Sequence, residues 1–276
     1  MFVYKKWDVF CDTLKRHGVL SVTAESQGEN KREKFLVLKH DVETKVKKAY
    51  RLSVIEAKYG HRGVYYVQAY LLKNKKNISL LKKMQDMGHE ISYHHDVMDS
   101  TAGNIDEAIK TFDINKKMFE DNGFEIKTVC QHGNPVVNRK NYYSNRDFFR
   151  NEKVQSLFPG ISEIMVDYKK RTGVEYAYIS DAGRGWKLIY DPETNDINDS
   201  EDKNIALGDI ESVAEYIFEN DAVFVSTHPH RWHNNVLSAY TSDFLFKFIK
   251  NTAKMLMRIK IFKYVMGKFY YLAKKI

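Results

Sequence analysis

The sequence lacks several features that mark particular classes of protein. It has no run of about 18 uninterrupted apolar residues, so we expect no transmembrane helix. It has only two cysteines, Cys11 and Cys130, and two buried thiols are a simpler expectation than a disulfide between such distant positions. No internal repeat and no interdomain linker are visible. These absences favour one globular domain without a disulfide framework.

The first 18 residues lack the signature of a secretory signal peptide. The segment MFVYKKWDVFCDTLKRHG has no continuous apolar core and no small-residue cleavage site. The spacing of its apolar residues instead predicts an amphipathic helix. On this basis we expect a cytoplasmic protein.

Positive charge is concentrated at the C-terminal end of the chain. The net charge is +8, but residues 244–276 contain eight lysines, one arginine and no acid, which leaves a net charge of −1 for the rest. The body of the protein therefore offers no electrostatic argument for binding nucleic acid. Residues 241–276 are predicted to form a basic amphipathic tail, beside a single domain over 1–240. The tail either contacts an anionic membrane through 244–276 or packs on the domain.

Short apolar runs alternate with amphipathic stretches along the domain. The runs are rich in Val, Ile, Tyr and Phe, which is typical of buried strands. The predicted strands are 35–38, 63–69, 90–93, 126–130, 175–179 and 222–226. The predicted helices are 46–59, 78–87, 105–122 and 209–219. This order indicates a parallel sheet, and we expect an α/β fold with a distorted parallel (β/α) barrel of about seven strands, although a doubly wound sheet has the same pattern.

Polar residues follow five of the predicted strands. They are Asp41 with His40, the run from His94 to Asp96, His132 with Gln131, Asp181, and His228. Active sites of α/β barrels are assembled at the C-terminal ends of the strands, so these side chains are expected to converge.

The residue types at these strand ends suit metal-assisted chemistry. Carboxylates and imidazoles bind divalent metals such as zinc and act as general acids and bases. The sequence has no GxSxG nucleophile motif and no glycine-rich phosphate loop. Asp41 has an alternative explanation as the N-terminal cap of the helix that starts near Lys45.

Five segments in order carry a family resemblance: LKHDVE, GHEISYHHD, QHGNP, SDAGRGW and STHPHRW. They resemble the polysaccharide deacetylases of carbohydrate esterase family 4, the NodB homology domain, and in particular a divergent bacterial branch. The resemblance covers about residues 35–235. It implies a distorted β/α barrel and a metal-dependent removal of acyl groups from sugars.

The resemblance assigns the metal ligands with two departures. The first motif implies that Asp41 is the general base and Glu43 a metal ligand, although the family usually has Asp at the second position. The second motif implies His94 as a ligand, but Met98 stands where a second histidine is normal, and a thioether is a poor ligand for such an ion. His95, Asp96 and His132 are the alternatives for the missing ligand, and we favour His132.

The last two motifs imply a catalytic histidine and a sugar-binding wall. His228 would protonate the leaving amine, with Asp181 orienting it. The expected substrate-binding residues are His95, Asp96, Arg184, Trp186, Arg231 and Trp232.

The function predicted from the sequence is a metal-dependent hydrolase, with zinc as the expected ion. It would remove an N-acyl group, such as acetyl, from an amino sugar of a surface glycan or its precursor. The alternatives are a non-catalytic glycan-binding protein on the same fold and a metal-dependent sugar esterase. The expected partner is a carbohydrate and not a nucleic acid.

Overall fold

The structure is a computed structural model that describes residues 1–134, 137–198 and 203–256. Its strands are β1 (Ser21–Val22), β2 (Phe35–Val42), β3 (Gly63–Val67), β4 (Glu90–His95), β5 (Thr128–Gln131), β6 (Ser162–Glu163), β7 (Ala177–Ser180), β8 (Trp186–Leu188), β9 (Ile205–Gly208) and β10 (Ala222–Thr227). Its α-helices are α1 (Tyr4–Arg16), α2 (Ala24–Asn30), α3 (Val46–Lys58), α4 (Lys75–Asp86), α5 (Val97–Ser100), α6 (Ile105–Glu120), α7 (Asp147–Arg150), α8 (Glu152–Leu157), α9 (Tyr168–Thr172), α10 (Ile210–Glu219) and α11 (Val236–Leu256). Short 3-10 helices span Ala69–Lys73, Ala182–Arg184 and Pro229–Arg231.

The strands form one sheet in the order β6-β5-β4-β3-β2-β10-β7-β8-β9, with β1 paired to β2. The seven strands from β6 to β7 run parallel, whereas β8 and β9 extend the sheet antiparallel. The predicted α/β fold, a distorted parallel barrel of about seven strands, is confirmed. Among the described residues the sheet remains open between β6 and β9.

Strand β2 lies near the middle of the sheet and all eight of its residues are buried. Parallel strands covered on both faces are expected to be apolar throughout, and FLVL fits that rule while the following Lys39, His40 and Asp41 do not. The register aligns His40 with Thr227 of β10 and Asp41 with Tyr66 of β3. The polar ends of neighbouring strands therefore meet at the same edge of the sheet.

Helices cover the sheet with apolar faces. Helix α1 buries Trp7, Phe10 and Leu14 in a core shared with α10 and with β2, which confirms the amphipathic helix predicted at the N-terminus. Both cysteines are buried free thiols, as expected: Cys11 on α1 and Cys130 on β5.

The predicted elements are found with small shifts of their ends. Strands β1, β6, β8 and β9 were not predicted, and β2 and β4 extend four and two residues beyond their predicted ends. Helix α11 starts at Val236 and continues across the predicted boundary between 240 and 241. The division into a domain and a tail stays a prediction, since residues 257–276 lie outside the described residues.

Candidate active site

Asp41 projects from β2 beside a buried lysine on the same strand face. The Lys39 ammonium lies 2.6 Å from both carboxylate oxygens of Asp41, and both side chains are almost fully buried. Burial alone would raise the pKa of Asp41, but the Lys39 charge outweighs it and the pKa is lowered. Asp41 does not cap a helix, because Lys45 occupies the N-cap position of α3. Asp41 is therefore an ionised carboxylate at neutral pH.

His228 follows β10 and is held by Asp181, which follows β7. The His228 Nδ1 atom lies 2.7 Å from Asp181 Oδ1, and the His228 backbone N–H donates to Asp181 Oδ2 at 2.9 Å. Thr227 Oγ1 and the Arg231 guanidinium also donate to the Asp181 carboxylate. Although burial lowers the pKa of His228, the Asp181 charge outweighs it and the pKa is raised. These contacts fix the imidazole and favour its protonated form.

The other nitrogen of His228 faces two acids. Its Nε2 atom lies 3.9 Å from Asp41 Oδ2 and 3.6 Å from Glu43 Oε1. Two carboxylates and an oriented imidazole thus meet at the carboxyl ends of β2 and β10. This arrangement can accept a proton at one atom and deliver one at another.

Glu43, His94 and His132 form a group with suitable spacing for one metal ion, because their ligand atoms all lie within 4.8 Å of one another. His132 Nε2 is 3.3 Å from Glu43 Oε1. His94 Nδ1 is 3.0 Å from the carbonyl oxygen of Cys130, and a hydrogen bond donated there would leave Nε2 available to an ion. Burial lowers the pKa of His94 to about 4, so its imidazole is neutral near pH 7, as a ligand must be. The donor set of one carboxylate and two imidazoles fits zinc.

A second group of Asp41, His94 and Cys130 is also close enough to hold an ion. Burial raises the pKa of the Cys130 thiol, and the lysine beside Asp41 already occupies both of that residue's oxygens. The thiolate that a metal needs is disfavoured there. The group with Glu43 is therefore the better candidate.

The site opens into a cavity of about 200 Å³. Its lining includes Lys39, Asp41, Glu43, His94 and His228 together with Gln131, Arg146, Tyr178 and Asn195. The loop over residues 191–198 borders this cavity through Asn195. Asp196 of that loop accepts hydrogen bonds from Arg146 at 2.9 Å and from Arg150 at 2.7 Å, and these bonds hold the loop beside the cavity.

Three predicted substrate-binding residues are buried in the core. Trp186 and Trp232 are 4% and 1% exposed, and both rings pack on Phe2. His95 is fully buried and packs against Phe112, because successive residues of a strand point to opposite faces and His94 takes the cavity side. The contact of these three with a sugar stays a prediction, and their burial in the core does not favour it.

The other three predicted substrate-binding residues do not line the cavity. Asp96 is half-buried at the N-terminal end of α5. The Arg184 guanidinium turns to α11, where it bonds Ser242 and Asp243. Arg231 donates to the backbone and side chain of Asp181. Arg231 therefore supports the buried acid, and its contact with substrate stays a prediction.

Lys39, Arg146, Tyr178 and Asn195 line the cavity and were not predicted from the sequence. Lys39 lies two residues before Asp41 in an apolar strand. Because side chains two residues apart in a strand point to the same face, this spacing was a signal that the two side chains are neighbours. Arg146 lies in a loop without a matching motif. Met98, the departure from the second motif, is 4% exposed and belongs to the apolar core.

No protein-family model and no curated protein matches the chain. Its structure is similar to solved structures of carbohydrate esterase family 4, the family that the five motifs resemble. One is a CE4 family pseudoenzyme from Bacillus anthracis, at 13% identity and a TM-score of 0.42, covering 80% of this chain and 62% of that one. Another is the catalytic domain of a peptidoglycan N-acetylglucosamine deacetylase from Eubacterium rectale, at 10% identity and a TM-score of 0.45. The match covers 78% of this chain and 84% of that one. A third is the Xyl-CE4 domain of a multidomain xylanase from the hindgut metagenome of Trinervitermes trinervoides, at 14% identity and a TM-score of 0.41. The match covers 80% of this chain and 85% of that one. The chain spans less than two thirds of the length of the Bacillus anthracis protein.

Proposed function

We propose that the protein is a metal-dependent hydrolase that removes an N-acyl group, acetyl in the first instance, from an amino sugar of a surface glycan or its precursor. The observation that carries this proposal is the His228 imidazole, which Asp181 fixes at 2.7 Å on one side while Asp41 and Glu43 face it on the other. An amide hydrolase needs a proton acceptor and a proton donor on either side of the scissile bond.

Glu43, His94 and His132 would hold the ion, and zinc suits their donor atoms. A divalent ion bound there would polarise the acyl carbonyl and lower the pKa of water toward about 7. The neutral His94 and the ionised Glu43 are in the protonation states that binding requires. The pKa of Glu43 is lowered because His132 and His228 outweigh the effect of burial.

Asp41 would accept the proton of the attacking water, since it is ionised and faces the cavity. Lys39 fixes its orientation and also limits its basicity, because it lies 2.6 Å from both oxygens. His228 would donate a proton to the departing amine from Nε2, because its Nδ1 is committed to Asp181. The Asp181 charge raises the pKa of His228 and so favours the protonated form that a donor needs.

The test is acetate release from N-acetylated amino-sugar oligomers by the zinc-loaded full chain. Asp41→Asn and His228→Ala should each lower kcat about 100- to 10,000-fold, the range of general acid–base catalysis. The exposed His17 gives the matched control, since His17→Ala removes an imidazole far from the cavity. Normal turnover in either active-site variant would overturn the assigned roles.

A non-catalytic glycan-binding protein is the second candidate, and two observations favour it. Lys39 occupies both oxygens of the proposed base, and Met98 is committed to the core. A protein that binds acetylated glycans, holds no stoichiometric metal and releases no acetate would support this candidate. Release of acetate from O-acetylated sugars alone would instead support a sugar esterase.

A further inference from the structure

Helix α11 has an inner face that is attached to the barrel. Ala239 is 1% exposed, and Ser242 and Asp243 bond the Arg184 guanidinium, which also lies 4.5 Å from the centre of the Phe246 ring. Ala239 is followed by Ser242 and Asp243 after three and four residues, and Phe246 comes three residues after Asp243, so these positions share one side of the helix. The helix is therefore fixed to the body of the protein along this side.

The outer face of α11 is apolar and open to solvent. Leu237, Tyr240 and Phe244 are spaced three and four residues apart and are 73%, 61% and 65% exposed. Val236 and Leu245 flank them at 59% and 56% exposure. A contiguous stripe of exposed large apolar side chains on one helix marks an interaction site, whereas single exposed apolar residues are ordinary.

The charge of the chain identifies what would cover this stripe. Residues 244–276 contain eight lysines, one arginine and no acid. An exposed apolar stripe followed along the chain by strong positive charge is typical of a helix that lies in the interface of a membrane. Lysines are attracted to anionic lipid headgroups, while apolar side chains enter the region below them.

Other occupants suit these features less well. Two copies of the chain facing each other through this helix would bring their lysines together, which is unfavourable at low salt. Nucleic acid would attract the lysines but offers no apolar surface for Leu237 and Phe244. No helix among the described residues is long and apolar enough to cross a bilayer.

We infer that the outer face of α11 lies on the surface of an anionic lipid bilayer. The position of the helix would bring the catalytic end of the barrel to the membrane. Arg184, which holds α11, ends the 3-10 helix that follows Asp181 directly. The inference stands apart from the proposed function, because attachment to lipid requires no turnover.

Flotation of the full chain with lipid vesicles tests the inference. The chain should float with phosphatidylcholine vesicles that contain phosphatidylglycerol, and about tenfold less with phosphatidylcholine alone. High salt should release it, because surface charges are screened. Equal flotation with both vesicles, or none with the anionic ones, would overturn the inference.

Two sets of substitutions distinguish binding through the apolar stripe of α11 from nonspecific binding through any exposed apolar side chain. The combined variant Leu237→Ser/Tyr240→Ser/Phe244→Ser should lose at least about tenfold in vesicle binding. The control Ile114→Ser/Tyr143→Ser/Ile205→Ser removes three side chains that are 65%, 61% and 58% exposed elsewhere, and it should bind like the wild type. Circular dichroism of both checks the fold. A stripe variant that binds vesicles normally, or one that changes only the oligomeric state in light scattering, would show that this face of α11 does not contact lipid.

Discussion

Lys39 and Asp41 lie two residues apart on the same face of β2, and the Lys39 ammonium contacts both oxygens of the Asp41 carboxylate at 2.6 Å. Neither side chain is more than 9% exposed. A buried charge is costly unless it is paired and hydrogen-bonded, and Ser226 Oγ provides a further contact to Lys39 at 3.2 Å. The pair thus lets a charged residue stand in the centre of the sheet and fixes the carboxylate that faces the cavity.

Removal of Lys39 alone should destabilise the protein strongly. Lys39→Met leaves the Asp41 carboxylate buried without its partner, and we expect a loss of about 3–5 kcal/mol in the free energy of unfolding, measured by urea denaturation. The double variant Lys39→Met/Asp41→Leu removes both charges and should recover most of that loss. A double variant as unstable as Lys39→Met would mean that the charge pair is not the cause.

Asp181 should control the proton affinity of His228. The pKa of His228 is raised because the Asp181 charge outweighs burial, so Asp181→Asn should lower it. If protonated His228 is the acid, activity is lost as pH rises through this pKa, and the alkaline limb of the rate profile should move to lower pH in Asp181→Asn. Titration of the imidazole by NMR measures the same shift without turnover. An unchanged His228 titration would contradict the assigned coupling.

Much of the sheet could be predicted from the sequence, because its buried parallel strands are short apolar runs. The ends of β2 and β4 could not, since Lys39 and His94 are polar and polar residues usually mark the end of a buried strand. Both strands continue because the polar groups have partners: Lys39 has Asp41, and His94 has the Cys130 carbonyl. The partner of His94 could not be read from the sequence, because the Cys130 carbonyl belongs to the neighbouring strand β5.

The site was predicted better at strand ends than at its walls. Asp41, Glu43, His94, His132 and His228 follow or end parallel strands, and the register of the sheet brings them together. Which residues form the walls of the cavity depends on the direction in which each side chain points from its loop or strand. His95 and Trp232 turn into the core, while Arg146 enters the cavity from a loop that has no periodic pattern.

The two neighbouring histidines of β4 and the histidine after β5 allow a sharp test of the metal group. His132→Ala should lower zinc affinity at least about tenfold, because it removes one of three ligand atoms that lie within 4.8 Å of one another. His95→Phe should leave zinc affinity unchanged, since His95 packs among Phe112, Phe148 and Phe149. Zinc titration with elemental analysis measures both. If His95→Phe lost zinc and His132→Ala retained it, the ligand would be His95 and not His132.

Glu90, at the start of β4, should make the stability of the fold depend on pH. Burial raises the pKa of Glu90 to about 7, although Thr128 and the Glu25 backbone N–H donate to its carboxylate. In an unfolded chain the pKa of a glutamate carboxyl group is about 4.3. Between these two values the folded state binds the additional proton, so the contribution of Glu90 to stability falls as pH rises and is lowest above pH 7.

Glu90→Gln removes this titration and keeps an oxygen for the Glu25 N–H. The free energy of unfolding of the variant, relative to the wild type, should therefore increase from pH 5 to pH 8, as measured by urea denaturation at both values. Glu152→Gln, at an exposed position of α8, is the matched control and should follow the wild type. Glu163 is also buried and has a pKa of about 7. The stability of both the wild type and Glu90→Gln should therefore still fall with rising pH because of Glu163. Only the difference between the two curves reports Glu90, and a difference that stays constant from pH 5 to pH 8 would rule out a raised pKa at this carboxyl.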